Sequence, residues 1–474
     1  MHYQFKKTFL ALSISLCLAP VAYATNGLAP TGLGQVHKAM GGAAVGNPQN
    51  TTTMMTNPAA GSFIDSGFDV GIELFRPKRT AKNNSDFAPS GTKSPYDAQG
   101  NPTNLPPYDT LNPQGTLIKG TEYSGDGKKN FLIPEFAYNR NYGGFAVGIS
   151  AYGNGGMNTQ YDKSPAFAAD ALSDDGIPII GNDGKPTGQT PDHVPDSVFN
   201  FNSTSTGPKG TTGVNLEQLF IAPTISKKIN AKHSVGLSLN LVWQRFEAKG
   251  LSALAAGSTN PTKFTDNGKS SATGIGATIG WMGQFSDRFT MGASYRLKTK
   301  MGKFKEYAGL FPDGGEMHVP AALTVGASAK VTPSTTIAAD IQQIYYSDVA
   351  ATGNAFKPSG FGGKDGPGFG WDDQTVIKLG VKQQMGQKLA LLAGYNHGAS
   401  PVGPEDTFFN ALTPAVVEDH LSLGFEFKVR KNSAITGSYT HTFKNEVKGD
   451  VTKGQQFDIS MEQDAIGIGF SKKF

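Results

Sequence analysis

The chain has 474 residues, with 42 Lys and Arg against 38 Asp and Glu, 60 glycines and one cysteine. Its mean hydropathy is −0.30, and no apolar run of about 18 residues follows the first two dozen, which excludes helical membrane spans. The near-neutral balance offers no basic surface for nucleic acid, and this much glycine suits a curved, turn-rich sheet better than helices.

Residues 1–24 have the form of an export signal. Lys6 and Lys7 precede an apolar run from Thr8 to Pro20, and Ala22-Tyr23-Ala24 is a small-x-small cleavage site. The run is too short to cross a bilayer. Leu16 stands before Cys17 where a lipid-modified cysteine would need a small residue. Cys17 is therefore expected to leave with the leader, and the mature chain, starting near Thr25, to hold no disulfide. Residues 25–66 carry no alternating run but are dense in Gly, Ala, Asn and Thr. They fit either a disordered leader or a compact plug, since small residues allow close packing against a wall.

From Gly67 the chain alternates. Phe68, Val70, Ile72 and Leu74 share one parity in the first strand, and the second covers residues 130–140. Asn141-Tyr142-Gly143-Gly144 turns into a third carrying Phe145, Val147 and Ile149. Further strands are expected at 214–228, 234–249, 273–285, 289–300, 319–331, 335–346, 375–384, 388–396, 417–430 and 433–444. A closing strand sets Ile466, Ile468, Phe470 and Phe474 against Ala465, Gly467, Gly469 and Ser471. The total is even, as a closed antiparallel barrel requires. Every second connection is a short turn. The others are long, at roughly 79–128, 161–211, 250–270, 303–317, 348–370, 399–416 and 447–454. Long loops confined to one side are what a barrel inserted from within a bacterial outer membrane produces. The expected fold is all-β: a 14-stranded antiparallel transmembrane β-barrel over residues 67–474, with an N-terminal hatch at 25–66 plugging the lumen. The expected location is the outer membrane of a Gram-negative bacterium.

Two local signals stand out. Alternation in the third strand stops at Gly153, followed by Asn154-Gly155-Gly156. This is either a strand end or a kink with unpaired backbone. Asn57-Pro58-Ala59 is either a plain turn or a hatch motif.

Thr31-Gly32-Leu33-Gly34, a Gly/Ala-rich stretch and Asn57-Pro58-Ala59 resemble the hatch of outer-membrane long-chain fatty-acid and hydrocarbon transporters of the FadL/TodX type. Ser150-Ala151-Tyr152-Gly153, Trp371-Asp372, Ser400-Pro401-Val402 and the segment from Val417 to Gly424 are similar to later family elements, in order along the mature chain. One departure is His420, where the family commonly has Arg. The resemblance implies passive transport: capture among outer loops, an apolar lumen, and sideways release at a third-strand kink controlled by the hatch. Asn57, Pro58, Ala59, Tyr152, Gly153 and Gly155 are the gating residues on that reading.

Parity sorts the other candidates. Arg245 and Lys249 share the lipid-facing parity of Leu239, Leu241 and Trp243, and are expected to meet lipopolysaccharide head groups. Arg296 and Lys298 fall opposite Met291, Ala293, Tyr295 and Leu297, so they are expected in the lumen, where a cation could hold a carboxylate. Glu73 is inward and could pair with them or with the hatch, and Phe246 is a candidate apolar wall. Trp243, Trp281 and Tyr439 fit interface girdles. Phe304, Tyr307, Leu310 and Phe311, with Phe408, Phe409 and Leu412, form apolar groups on outer loops. They are expected either as an exposed capture groove or as loops packed on one another.

Enzymatic readings find little support. His residues at 37, 193, 233, 318, 397, 420 and 441 have no metal-ligand spacing, and Asp419 and His420, adjacent in a strand, point to opposite faces. Asp174-Asp175-Gly176 and Asn182-Asp183-Gly184 lack a full calcium loop. No cofactor or metal is expected. The function expected is a monomeric channel for hydrophobic small molecules, fatty acid or hydrocarbon, in contact with outer-membrane lipid. A general diffusion porin is the alternative and a surface adhesin a third reading.

Overall fold

The computed structural model describes residues 26–84, 120, 122–162, 211–455 and 457–474. Fourteen long strands form one antiparallel sheet that closes on itself. They are β1 (Gly67–Asn83), β2 (Phe131–Asn141), β3 (Phe145–Asn158), β4 (Gly213–Lys228), β5 (His233–Lys249), β6 (Ser270–Ser286) and β7 (Phe289–Arg296), followed by β8 (Ala322–Lys330), β9 (Thr335–Ile344), β10 (Gln374–Met385), β11 (Leu389–Gly398), β12 (Asp419–Arg430), β13 (Ser433–Val447) and β14 (Phe457–Lys473). Glu122–Ser124 and Lys300–Met301 are short pieces paired to β1 and β6. The ring closes along all of β1, with Gly67 opposite Lys473 and Asn83 opposite Phe457. The expected leader at 1–24, and Asp174-Asp175-Gly176 and Asn182-Asp183-Gly184, lie outside the described residues.

Alternation explains the two faces. In β5, Leu237, Leu239 and Leu241 point outward at 45, 43 and 43 % exposure, while Ser234, Ser238, Asn240 and Gln244 are buried inside. Ile466 and Ile468 of β14 stand outward in the same way. So much bare aliphatic surface, at ~25 cal/mol per Å², is stable only against lipid. No helix among the described residues is long and apolar enough to cross a membrane. Short turns join β2 to β3, β4 to β5, β6 to β7, β8 to β9, β10 to β11 and β12 to β13, and the long connections all leave the opposite rim.

One strand departs from its pattern. Alternation predicts β7 through residue 300, but it ends at Arg296. Thr299 then bridges to Val319, and Lys300–Met301 returns to β6. Parity counted past Arg296 therefore no longer reports which face a side chain takes.

Residues 26–66 fill the lumen as a compact hatch, with a helical turn at Gln35–Lys38 and 3-10 turns at Thr51–Met55 and Pro58–Ser62, all buried. Inward glycines make the seat. A Cβ on Gly236 or Gly280 would run into Asn57-Pro58-Ala59, one on Gly292 into the Val45 carbonyl, and one on Gly380 or Gly394 into Met40 and Gly41. Gly467 and Gly469 leave the same space for Gln35. Polar ties fix the orientation. Asp340 Oδ2 accepts from the Ala44 and Val45 amides at 2.7 and 3.0 Å, and Lys38 pairs with Glu73 at 3.0 Å, both buried. Gln35 donates to Glu135 Oε1 (3.0 Å) and accepts from Ser438 Oγ (2.6 Å).

Candidate functional site

The wall parts between β2 and β3. Their pairing runs from the short turn only as far as Glu135 opposite Tyr152. Beyond it, Phe131 to Pro134 still pair with β1, and Gly155 to Asn158 still pair with β4, but not with each other. Asn154 is the extra residue, a bulge between Gly153 and Gly155 that bends β3. Pro134 marks the opposite edge; having no N–H to donate, it suits a strand border. The parting is closed at the outer end, where Gln160 N donates to Gly125 O and Gly127 N to Gln160 O, both at 2.9 Å. The result is a window. At about 3.3 Å per residue it is up to roughly 25 Å tall between Tyr152 and Gln160.

The start of the hatch lies directly behind it. Gly155 has φ +147, and a Cβ there would overlap the Leu28 carbonyl oxygen, so only glycine lets hatch and bulge approach so closely. Tyr346 OH anchors this arm, accepting from the Leu28 and Ala29 amides and donating to Asn26 O. Tyr152 sits on the lumen side below the bulge, stacked on Phe220 at 5.5 Å within a buried apolar group that includes Met55, Met301 and Val319. Above it, Met157, Leu216 and Phe246 belong to a second, larger apolar cluster shared with the outer loops.

Asn57 is wholly buried and uses every side-chain polar atom. Its Oδ1 caps the 3-10 turn by accepting from Ala59 N (3.0 Å), and its Nδ2 donates to Val45 O (2.8 Å) and Trp281 O (2.9 Å). It thus joins two hatch segments to β6. Pro58 opens the turn, where a missing N–H costs nothing. Ala59 is small enough to lie over Gly236, and its carbonyl accepts from Ser226 and Ser234.

Arg296 reaches the lumen, and its guanidinium donates to Asn154 Oδ1 at 2.8 Å, tying β7 to the bulge. Its Nε has no protein partner. Together with Lys378, which the sequence did not single out, it lines a polar cavity of about 50 Å³ against Pro30, Gly32 and Thr56 of the hatch. Lys298 corrects the expectation. It is exposed and donates to Asp348 O, because the strand whose parity placed it inside has already ended. Glu73 pairs with the hatch, not with Arg296.

Phe246 is inward and buried, 5.6 Å from the Phe304 ring, 4.9 Å from Tyr307 and 4.7 Å from Phe311. The loop residues are not an exposed groove. Phe304 and Tyr307 are 0 % exposed, Leu310 and Phe311 4 %; Phe408, Phe409 and Leu412 are buried with Phe356, Phe361 and Phe369. Each loop covers its aromatics with another loop, forming an apolar roof continuous with the lumen. Burial pushes the Tyr307 phenol up to about 12, so it stays protonated and donates to Gly268 O.

Arg245 and Lys249 keep the outward parity but are paired, with Glu217 and Glu247. Asp419 faces out to Tyr395 and His397, while His420 is buried. Among the described residues His441, Glu462 and Asp464 bring three possible ligand atoms together, but Lys78 and Tyr439 already engage the carboxylates.

The family model for outer membrane protein transport proteins (OMPP1/FadL/TodX) matches residues 198–474, more than half of the chain. The chain belongs to this family. The toluene transporter TodX of Pseudomonas putida is similar in fold, with a TM-score of 0.61 at 18 % identity over 94 % of this chain and 99 % of its own. The toluene transporter TbuX of Ralstonia pickettii gives 0.56 at 16 % identity, over 94 and 99 %. A FadL homologue of Pseudomonas aeruginosa gives 0.56 at 15 %, over 94 and 100 %. No curated protein sequence matches. This FadL/TodX-family member is thus an outer-membrane transport protein of Gram-negative type, and its 14-stranded barrel matches those of the family's solved structures.

Proposed function

We propose that this protein carries hydrophobic molecules across the outer leaflet passively and releases them sideways through the β2–β3 window, with the hatch as gate. The observation that carries the reading is the window itself, a break in wall pairing with apolar clusters inside, lipid outside and the hatch arm behind. Lateral release keeps the solute out of periplasmic water, which would cost about 25 cal/mol for each Å² of apolar surface re-exposed. Phe304, Tyr307, Leu310 and Phe311 are the entry on this reading, crossed when the loop roof parts, and Phe246 continues the path inward. The closed ring needs no second copy, so the working unit is a monomer, and outward Arg245 and Lys249 face lipopolysaccharide.

Between a fatty acid and a hydrocarbon, the cavity at Arg296 and Lys378 favours the acid. Two cationic side chains line it, and the buried Arg296 Nε–H, with no protein partner, is costly without an acceptor. Asp340, cross-strand from Lys378, is committed to the hatch amides.

Disulfide stapling tests the exit. Pro134→Cys with Gly153→Cys joins the two edges just above the last pair, and labelled-substrate uptake should then be lost when oxidised and return on reduction. Uptake indifferent to the staple would end the lateral route, and ion conductance scaling with bath salt would favour a porin. Competition of labelled fatty acid by toluene tests the substrate; full competition would overturn the preference for the acid.

A further inference from the structure

Arg79 stands on the inward parity of β1, four residues beyond Phe75, the last to pair with β2. Its guanidinium is 1 % exposed and each nitrogen is used. Nε donates to Asp126 Oδ1 (3.2 Å), one terminal nitrogen to the Asn158 carbonyl and Oδ1 (2.5 and 2.9 Å), and the other to the Lys128 carbonyl (2.6 Å). Its own amide also donates to Asp126 Oδ1 (2.9 Å), and its carbonyl accepts from Gly125 N (2.8 Å). Asp126 and Lys128 belong to the segment entering β2, and Asn158 ends β3. One side chain therefore grips both sides of the window at its outer rim.

Among the described residues the other hydrogen bonds across that rim are the pair of backbone bonds between Gln160 and the glycines Gly125 and Gly127, where the Tyr161 ring also lies against Gly125. Glycines contribute no side chains to prop the rim. The planar fork of an arginine can hold a carboxylate and two carbonyls in fixed directions at once, which a lysine cannot.

We propose that Arg79 is the crossbar of the window, a positioning residue that fixes its outer limit and so the girth of solute that can leave. This rests on the lateral-exit reading. Without the guanidinium, the hydrogen bonds left between the 125–128 segment and the end of β3, among the described residues, are the two backbone bonds, and the two sides can separate more readily.

The test uses the full chain in outer-membrane vesicles, with barrel closure checked by heat-modifiable migration. Uptake of a slender linear solute and of a bulky fused-ring hydrocarbon is compared in wild type, R79K and R79A. Both variants should raise the bulky-to-slender ratio, and R79K retains the charge should R79A fold poorly. A second pair, Gly127→Cys with Gln160→Cys, locks the rim; a Cβ on Gly127 lies 2.8 Å from the Gln160 Cγ, so the disulfide is within reach. Oxidised lock in the R79K or R79A background should return the ratio to wild type. An unchanged ratio, or a gain that survives the lock, overturns the crossbar. The Pro134–Gly153 staple separates the two claims: if it blocks uptake while the ratio never moves, only the role of Arg79 falls; if it does nothing, the exit itself falls.

Discussion

Replacing Asn57 by Ala removes three hydrogen bonds and leaves the Ala59 amide and the Val45 and Trp281 carbonyls buried without them. Loss of the cap costs about 1 kcal/mol, and each donated bond about 0.5–1.5 kcal/mol net. The sum is roughly 2–4 kcal/mol, which shifts local hatch opening by roughly 30- to 1,000-fold. None of the wall's own pairing depends on this side chain, so the barrel should stay closed and heat-modifiable. Hydrogen exchange should accelerate across residues 43–62. Uptake should fall, because the arm at Leu28 and Ala29 is positioned behind the window by the same hatch. N57D keeps the cap but turns an anion toward two carbonyl oxygens, and should be at least as damaging. Faster exchange with unchanged uptake would refute the gating role, and loss of heat-modifiability would refute the claim that hatch and wall are energetically separate.

Two further outcomes follow from the hatch. Gly292→Ala places a Cβ against the Val45 carbonyl, so it should expose the hatch to added protease while leaving the barrel folded; wild-type protection would contradict the seat. His37 is fully buried, with its Nε2 on Thr53 Oγ1, and burial is the main cause that lowers its pKa from 6.5 to about 4, with Lys382 adding to it and the Ala43 backbone opposing. The docked hatch favours neutral imidazole, so its stability is full above pH 6.5 and declines as pH falls toward 4, by up to about 3 kcal/mol at 1.36 kcal/mol per pK unit. Hatch protection factors, corrected for the intrinsic pH dependence of amide exchange, should be lower at pH 4.5 than at pH 7.5 in wild type and differ much less in H37Q; equal sensitivity in both would exclude His37 as the cause.

Period-2 alternation made the ring of strands legible, because a wall one residue thick must show its two solvents in sequence. The same rule misplaced Lys298, since a sequence that keeps alternating after Arg296 does not report that the chain has left the sheet. The window was half legible. The glycines from 153 announce one edge, whereas Pro134 marks the other only as a proline inside an apparently regular strand. Inward glycines such as Gly236 and Gly292 looked like allowances for curvature; their service as a seat needs the partner surface, which lies far away in sequence. For the same reason Phe304 and Phe408 stay open between an exposed groove and packed loops in the sequence: a loop taken alone cannot show that another loop covers it. Lys378 gives no local signal in its strand, and Arg79, one of four cations between residues 76 and 82, falls at the start of the loop expected at 79–128.

Gln35 touches β2 through Glu135 and β13 through Ser438, so it spans the join between β1 and β14 from inside. Across that join it lies over Gly467 and Gly469. A closure slipped by one residue would exchange the faces of β14 and bring Ile466 or Ile468 against Gln35. The docked hatch is thus compatible only with the register in which the final strand presents its glycines.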